Sequence, residues 1–238
     1  RDRPHEVVAD VGGHLAGEVA SAMAAESLRR LSGSVSSEDV INSVIAANLA
    51  ILTLSRRDAS HRGMGTTLTG MAVVHNDGEP RLVVVNVGDS RTYRLRAGRL
   101  EQISIDHSYV QDLVAQGYVS KEDARTHPQR NIVTRALGID RSVLVDTFVV
   151  ETMPGDRFIL CSDGLVDEID DVSIASIARS VESPSECASR LVASAKAAGG
   201  RDNITVIVID FNTTTAETPS SPNVPSVVGD LIGGLVVL

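Results

Sequence analysis

The chain has no tryptophan, and its phenylalanines and tyrosines number three each among 238 residues. Aromatic side chains therefore cannot supply the bulk of a core, which must be built from Val, Ile, Leu and Ala. Cysteine is nearly as scarce: Cys161 falls in an apolar, strand-like run and Cys187 in a helical one. Two thiols so placed exclude a disulfide framework, do not suggest zinc, and suit a reducing interior. Positive charge is also short. The formal net charge of −9 argues against a nucleic-acid binder, which presents a basic face to phosphates. No apolar segment follows Arg1-Asp2-Arg3-Pro4-His5 closely enough to form a secretory signal. The apolar stretch from Val227 to Leu238 carries Asp230 and falls short of the about 20 residues that cross a bilayer. It reads as a docking or disordered tail, or as the first part of a longer span; membrane contact is expected only if a span follows residue 238.

What is present alternates between helical and strand patterns. Val7 to Asp10 reads as a short strand, and Gly12-Gly13 opens a helix to about Leu31 with Val19, Met23, Leu28 and Leu31 for its buried side. A second helix is predicted from Glu38 to about Ser55, capped by Ser36 or Ser37. A polar loop, Arg56 to Gly65, leads to two strands, Thr66 to His75 and Arg81 to Val87, around the hairpin signal Asn76-Asp77-Gly78. Thr92 to Arg96 and Leu100 to Ile105 repeat the pattern around Ala97-Gly98-Arg99. Ser108 to about Gly117 and a short segment capped by Ser120 read as helices, the second interrupted at His127-Pro128. Strands over Val143 to Val150 and Arg157 to Cys161, helices over Asp171 to Ser180 and Ser185 to Ala198, and a last strand from Ile204 to Phe211 follow. This order fits a layered fold with sheets inside and helices outside. From Asn212 through Pro225 the chain turns to Thr, Ser and Pro, a composition that buries too little surface to order itself. The expected division is 1–211 as one catalytic domain and 212–238 as a linker with a short apolar tail.

Three aspartates stand at strand edges beside glycines. Asp163 follows Phe158-Ile159-Leu160-Cys161-Ser162 and precedes Gly164; Asp10 follows Val7-Val8-Ala9 and precedes Val11-Gly12-Gly13; Asp202 lies in Gly199-Gly200-Arg201-Asp202-Asn203, before Ile204. A carboxylate at the end of a core strand is costly unless positive charge meets it. A divalent cation would do so, and oxygen donors suit a hard one. Taken singly, each Asp also reads as a turn or cap residue.

Six motifs extend the pattern: Asp10-Val11-Gly12-Gly13-His14, Gly63-Met64-Gly65-Thr66-Thr67, Gly88-Asp89-Ser90-Arg91, His127-Pro128-Gln129-Arg130-Asn131, Asp163-Gly164 and Gly200-Arg201-Asp202-Asn203. In this order, over roughly Val7 to Asp210, they resemble the metal-dependent serine/threonine protein phosphatases (PPM, type 2C) of the bacterial, actinobacterial branch. The resemblance implies an α+β fold, a four-layer α-β-β-α sandwich of two antiparallel sheets flanked by helix pairs. It implies hydrolysis of phosphoserine and phosphothreonine at a binuclear Mn2+ or Mg2+ site. Such an ester hydrolyses extremely slowly unaided; two ions about 3.5–4 Å apart lower the pKa of a water and neutralise phosphate charge. By the resemblance, Asp10 would bridge the ions, Asp163 and Asp202 would hold one of them, and Asp106 with Asp163 a third, weaker one. Asp106 reads equally as the N-cap of the helix after it. His14 is either a proton donor to the leaving seryl oxygen or a structural residue at a helix start. The segment 117–137 corresponds to the family's flap, where Arg125 or Arg130 would touch substrate or line a solvated face. Asp89 reads as a turn residue, and Gly63 to Thr67 as a tight turn that lacks the Lys of a P-loop.

Two departures qualify the likeness. The family's first strand carries a phosphate-gripping Arg and an acidic residue, and Arg1, Asp2 and Arg3 are not assigned those roles. The family also writes Asp-Gly-x-Gly-Gly and uses the first glycine's carbonyl as a ligand. Here Asp10-Val11-Gly12-Gly13 is one residue shorter, leaving the Val11 carbonyl as substitute and a weakened second-metal site as the expectation. Phosphorylated proteins, Ser/Thr kinases and their substrates are the expected partners, in the cytoplasm or on the cytoplasmic side of a membrane anchor. The alternatives are a degenerate domain that binds without turnover, and a stress-pathway phosphatase acting on phosphorylated regulators.

Overall fold

A computed structural model describes residues 15–29, 31, 35–76, 79–211 and 235–237. Helices α1 (Leu15–Arg29) and α2 (Ser37–Arg57) pack against each other. Of the two candidate caps, Ser36 is the one used: its Oγ accepts from the Asp39 N–H, and the Asp39 carboxylate accepts from the Ser36 N–H, a reciprocal capping box. Val40, Val44, Ala47 and Ile51 then recur at helical spacing and are wholly buried. On α1 the deepest seam runs through Ala20, Ala24 and Leu28, while Val19 and Met23 are only partly covered. Small alanines let the helices approach, which moves the larger side chains to the flank.

Among the described residues, eight strands form two four-stranded antiparallel sheets. The first has the order β5 (Asp146–Val150), β2 (Glu79–Val87), β1 (Leu68–Asn76), β8 (Leu235–Val237). The second has the order β4 (Arg99–Gln102), β3 (Arg91–Arg96), β6 (Asp156–Cys161), β7 (Val206–Phe211). Period-two alternation assigns the faces. On β2, Val83, Val85 and Val87 join the α1–α2 core, whereas Leu82 and Val84 meet Phe158 and Leu160 of β6 between the sheets. Ile159 and Cys161 point the other way, into the layer of α6 (Asp171–Ser180) and α7 (Pro184–Ala198). The result is the expected α-β-β-α sandwich, with β6 buried at every position because both its faces are covered. Cys161 and Cys187 are free and buried, one on the sheet and one on α7.

Several boundaries differ from the sequence reading. β4 stops at Gln102 rather than Ile105 because the Ile103 and Ser104 amides both turn to the Thr92 carbonyl, at 2.8 and 3.4 Å, a bulge that ends regular pairing. Asp163 does not enter a simple glycine turn but begins a one-turn helix, α5 (Asp163–Val166). In the apolar tail, Leu235–Val237 docks as an edge strand on β1. The strand expected over Val7 to Asp10, the helix opening at Gly12-Gly13 and the linker composition of 212–234 lie outside the described residues.

Candidate metal centre

The site begins where β6 ends. The Ser162 N–H donates to the Thr205 carbonyl (3.1 Å), while its Oγ donates to the Asn203 carbonyl and accepts from the Thr205 N–H, both at 3.0 Å. These bonds bring the Asp202-Asn203 segment against the first residue of α5. Gly164 permits the approach: a Cβ there would stand 2.3 Å from the Asn203 carbonyl oxygen. Asp163 and Asp202 thus come together although 39 residues separate them in the chain (202 − 163). One helical turn on, Asp167 joins them.

Burial, then the charges of Asp202 and Asp167, push the Asp163 carboxyl up to about 6. Asp89 lies in the loop between β2 and β3 and is 9% exposed. Burial, then Asp163 and Asp106, push its carboxyl up to about 7. Crowded, desolvated carboxylates of this kind favour the proton unless a metal takes its place. The donors are all oxygens, which suits Mg2+ or Mn2+. Among the described residues, no three His, Cys, Asp or Glu side chains converge closely enough to hold an ion by themselves. Asp10, Val11 and His14 lie outside the described residues.

Asp106 is in different company. Its carboxylate accepts from Arg91 Nε (3.0 and 2.9 Å), Arg91 Nη2 (2.6 Å) and Gln102 Nε2 (2.8 Å). It is not the cap of the next helix, α3 (Tyr109–Ala115); Ser108 is, accepting from the Gln111 N–H. The helix starts after the chain has turned at Ser108, which puts Asp106 one step too early to reach its free amides. Any ion that Asp106 shared with Asp163 would compete with the Arg91 guanidinium.

The loop bearing Asp89 is held from behind by His107. The His107 N–H donates to the Gly88 carbonyl (2.9 Å), and the Gly88 N–H donates to His107 Nδ1 (2.9 Å). On the other side of the ring, Nε2 faces Arg135 Nη1 at 2.8 Å and Asp146 Oδ2 at 3.1 Å. Burial opposes ionisation of Asp146, but His107 and Arg135 hold its carboxyl below the usual carboxylate range.

The flap segment contains α4 (Lys121–Ala124) and lies over α5. Arg125 Nη2 donates to the Val166 carbonyl (3.2 Å), and Arg130 Nε stands 3.9 Å from Asp167 Oδ2. Arg130 is therefore at the rim of the acidic cluster, while Arg125 is committed to the backbone beneath it. Gly63 to Thr67 forms no cradle: Thr66 pairs with Leu137 through two main-chain bonds, the close packing its small residues suggest. The sequence reading set Asp89 aside and did not single out Asp167 or His107. The available signal for Asp89 was a carboxylate one glycine beyond the apolar run of β2; for Asp167 it was the spacing of four from Asp163.

Comparison with known proteins agrees with this geometry. Residues 115–212 match the family described as Stage II sporulation protein E (SpoIIE). The serine/threonine phosphatase stp of Listeria welshimeri is 38% identical over 220 residues, 89% of this chain and 86% of that protein. The solved structure of the Mycobacterium tuberculosis serine/threonine phosphatase PstP/Ppp superposes with a TM-score of 0.78 at 39% identity, covering 85% of this chain and 86% of that one. A PstP catalytic domain in complex with two manganese ions gives a TM-score of 0.73 at 36% identity, covering 85% of each chain.

Proposed function

The chain belongs to the bacterial metal-dependent serine/threonine phosphatases of the PPM (type 2C) family, and from that membership we propose that it hydrolyses phosphoserine and phosphothreonine on proteins. The observation that carries the reading is that Asp163 feels the charges of Asp202 and Asp167 and is felt in turn by Asp89, burial and then this mutual repulsion pushing the Asp163 and Asp89 carboxyls up. Asp163 and Asp202 would hold one metal ion, and Asp10 would complete a binuclear site. A bound metal supplies a nucleophile from water at neutral pH and neutralises charge on the phosphate. The protein's own part is to fix those oxygens through the Ser162 bonds, to hold the Asp89 loop through His107, and to offer Arg130 to the phosphate or the peptide around it.

Manganese is the ion favoured here, because a relative of the same fold binds two manganese ions; Mg2+ takes the same ligands. The opposing enzymes would be Ser/Thr protein kinases, and two free, buried thiols suit a cytoplasmic setting. The test is Mn2+-titrated hydrolysis of a phosphothreonine peptide by the wild-type chain and by Asp163→Asn. Chelator-sensitive turnover that disappears in the variant is expected. A folded wild-type chain without turnover would instead make this a phosphatase-like binding domain.

A further inference from the structure

Gly88, the residue before Asp89, is gripped by three hydrogen bonds. Its carbonyl accepts from the His107 N–H (2.9 Å) and from Asn86 Nδ2 (3.1 Å), and its own N–H donates to His107 Nδ1 (2.9 Å). Its φ is +110°, and a Cβ there would collide with the Thr67 side chain, so the position requires glycine. Where Gly88 stands fixes the backbone that carries the Asp89 carboxylate. His107 makes two of the three bonds, and at 6% exposure its ring has little room to swing.

The far side of that ring meets the flap. Nε2 faces Arg135 Nη1 and Asp146 Oδ2, and Arg135 Nη1 donates to Asp146 Oδ1 at 2.7 Å. Asp146 opens β5 and pairs with Asn86 of β2, so this anchor is built into the first sheet. The main chain follows the same seam. The Tyr109 N–H donates to the Ile132 carbonyl and the Thr134 N–H to the His107 carbonyl, both at 2.8 Å. The returning leg of the flap is thus stitched to the segment that holds Gly88. Arg130 precedes Ile132 by two residues and can stray no more than about 7 Å from that stitch.

We propose that His107 is a positioning residue with two separable tasks. Its Nδ1 side sets the Asp89 loop; its Nε2 side, through Arg135 and Asp146, sets the base of the flap and with it Arg130. The proposal rests on the phosphatase reading of the site. One rigid ring then fixes the spacing between the carboxylate loop and the arginine that meets the substrate, where two independent loops would leave slack. Such slack is costly, since a misplacement of about 1 Å can cost about a hundredfold in rate.

Two substitutions separate the tasks. Asn puts an amide atom near the place of Nδ1 and stops short of Nε2; Gln reaches the place of Nε2 and leaves nothing at Nδ1. In His107→Asn, amide exchange at Thr134 should quicken about tenfold in the metal-free protein while Gly88 keeps its protection. The KM for a phosphothreonine peptide should rise more than kcat falls. In His107→Gln the pattern reverses: the Gly88 amide quickens, Thr134 does not, and kcat falls by about tenfold or more with little change in KM. Arg135→Gln leaves the ring alone and should repeat the pattern of His107→Asn. A merely structural histidine would loosen both amides alike in both His107 variants and show no split between KM and kcat. That result, or wild-type exchange at Thr134 in Arg135→Gln, overturns the proposal. Exchange is read without metal or substrate, so it decides the two tasks even if the chain shows no turnover; absent turnover with the exchange pattern intact would count against the phosphatase reading alone.

Discussion

Asp89 and Asp163 weaken the metal-free protein as the solution becomes less acidic. A carboxyl raised in the folded state keeps its proton while the unfolded chain has lost it, so the folded state binds more protons. Stability from this source therefore falls as pH rises, from about 4 to about 7 for Asp89 and to about 6 for Asp163. Asn imitates the protonated carboxyl. In chelator, Asp89→Asn should match wild type near pH 4 and exceed it at pH 8 by on the order of 4 kcal/mol, read from urea denaturation at the two pH values. An advantage that did not grow with pH would remove Asp89 from the repelling cluster. At this scale the sequence singled out Asp163 and Asp202, each a carboxylate near a glycine at the edge of an apolar run, and the structure adds that the two lie close enough for one to raise the other. Asp89 was not singled out, because its burial follows from how the second sheet lies against the first. His107 was hidden for a similar reason: its ring serves Gly88, 19 residues away.

Gly164 sets the distance between two elements rather than the shape of one. Its neighbour across the gap is main chain, the Asn203 carbonyl, which cannot swing aside as a side chain would. Gly164→Ala should push the Asp202-Asn203 segment away from α5, weakening Mn2+ binding by tenfold or more, that is by ~1.4 kcal/mol, with a smaller loss of thermal stability. Calorimetric titration beside a melting curve separates the two effects; a variant that melts early but binds Mn2+ normally would contradict this account. The elements best foreseen were those with local signals. Ser36, Ser108, Ser120 and Ser183 each accept a hydrogen bond from the first turn of a helix. α5 was missed because four residues show no helical period, and its start is fixed by the contact of Ser162 with Thr205. The pairing of β8 with β1 joins segments more than 160 residues apart, which no local pattern encodes.

For the molecule as a whole, the order of helices and strands was enough to foresee the layers, since two antiparallel sheets can bury both faces only between helix pairs. The acidic end of the sandwich makes its stability depend on metal. Ions that bind only the folded site stabilise it by about 2.7 kcal/mol at a hundredfold excess over the dissociation constant. Protons compete for Asp163 and Asp89, so the rise in melting temperature with Mn2+ over chelator should be larger at pH 8 than at pH 5.5. Equal shifts at both would place the ions elsewhere. The two thiols give the same sandwich a built-in clock. Burial pushes Cys161 up to about 12 and raises Cys187 as well, and both belong to the core that joins the second sheet to α6 and α7. An alkylating reagent reacts with thiolate and must first reach it, so each labelling event marks a moment when that outer helical layer has lifted from its sheet.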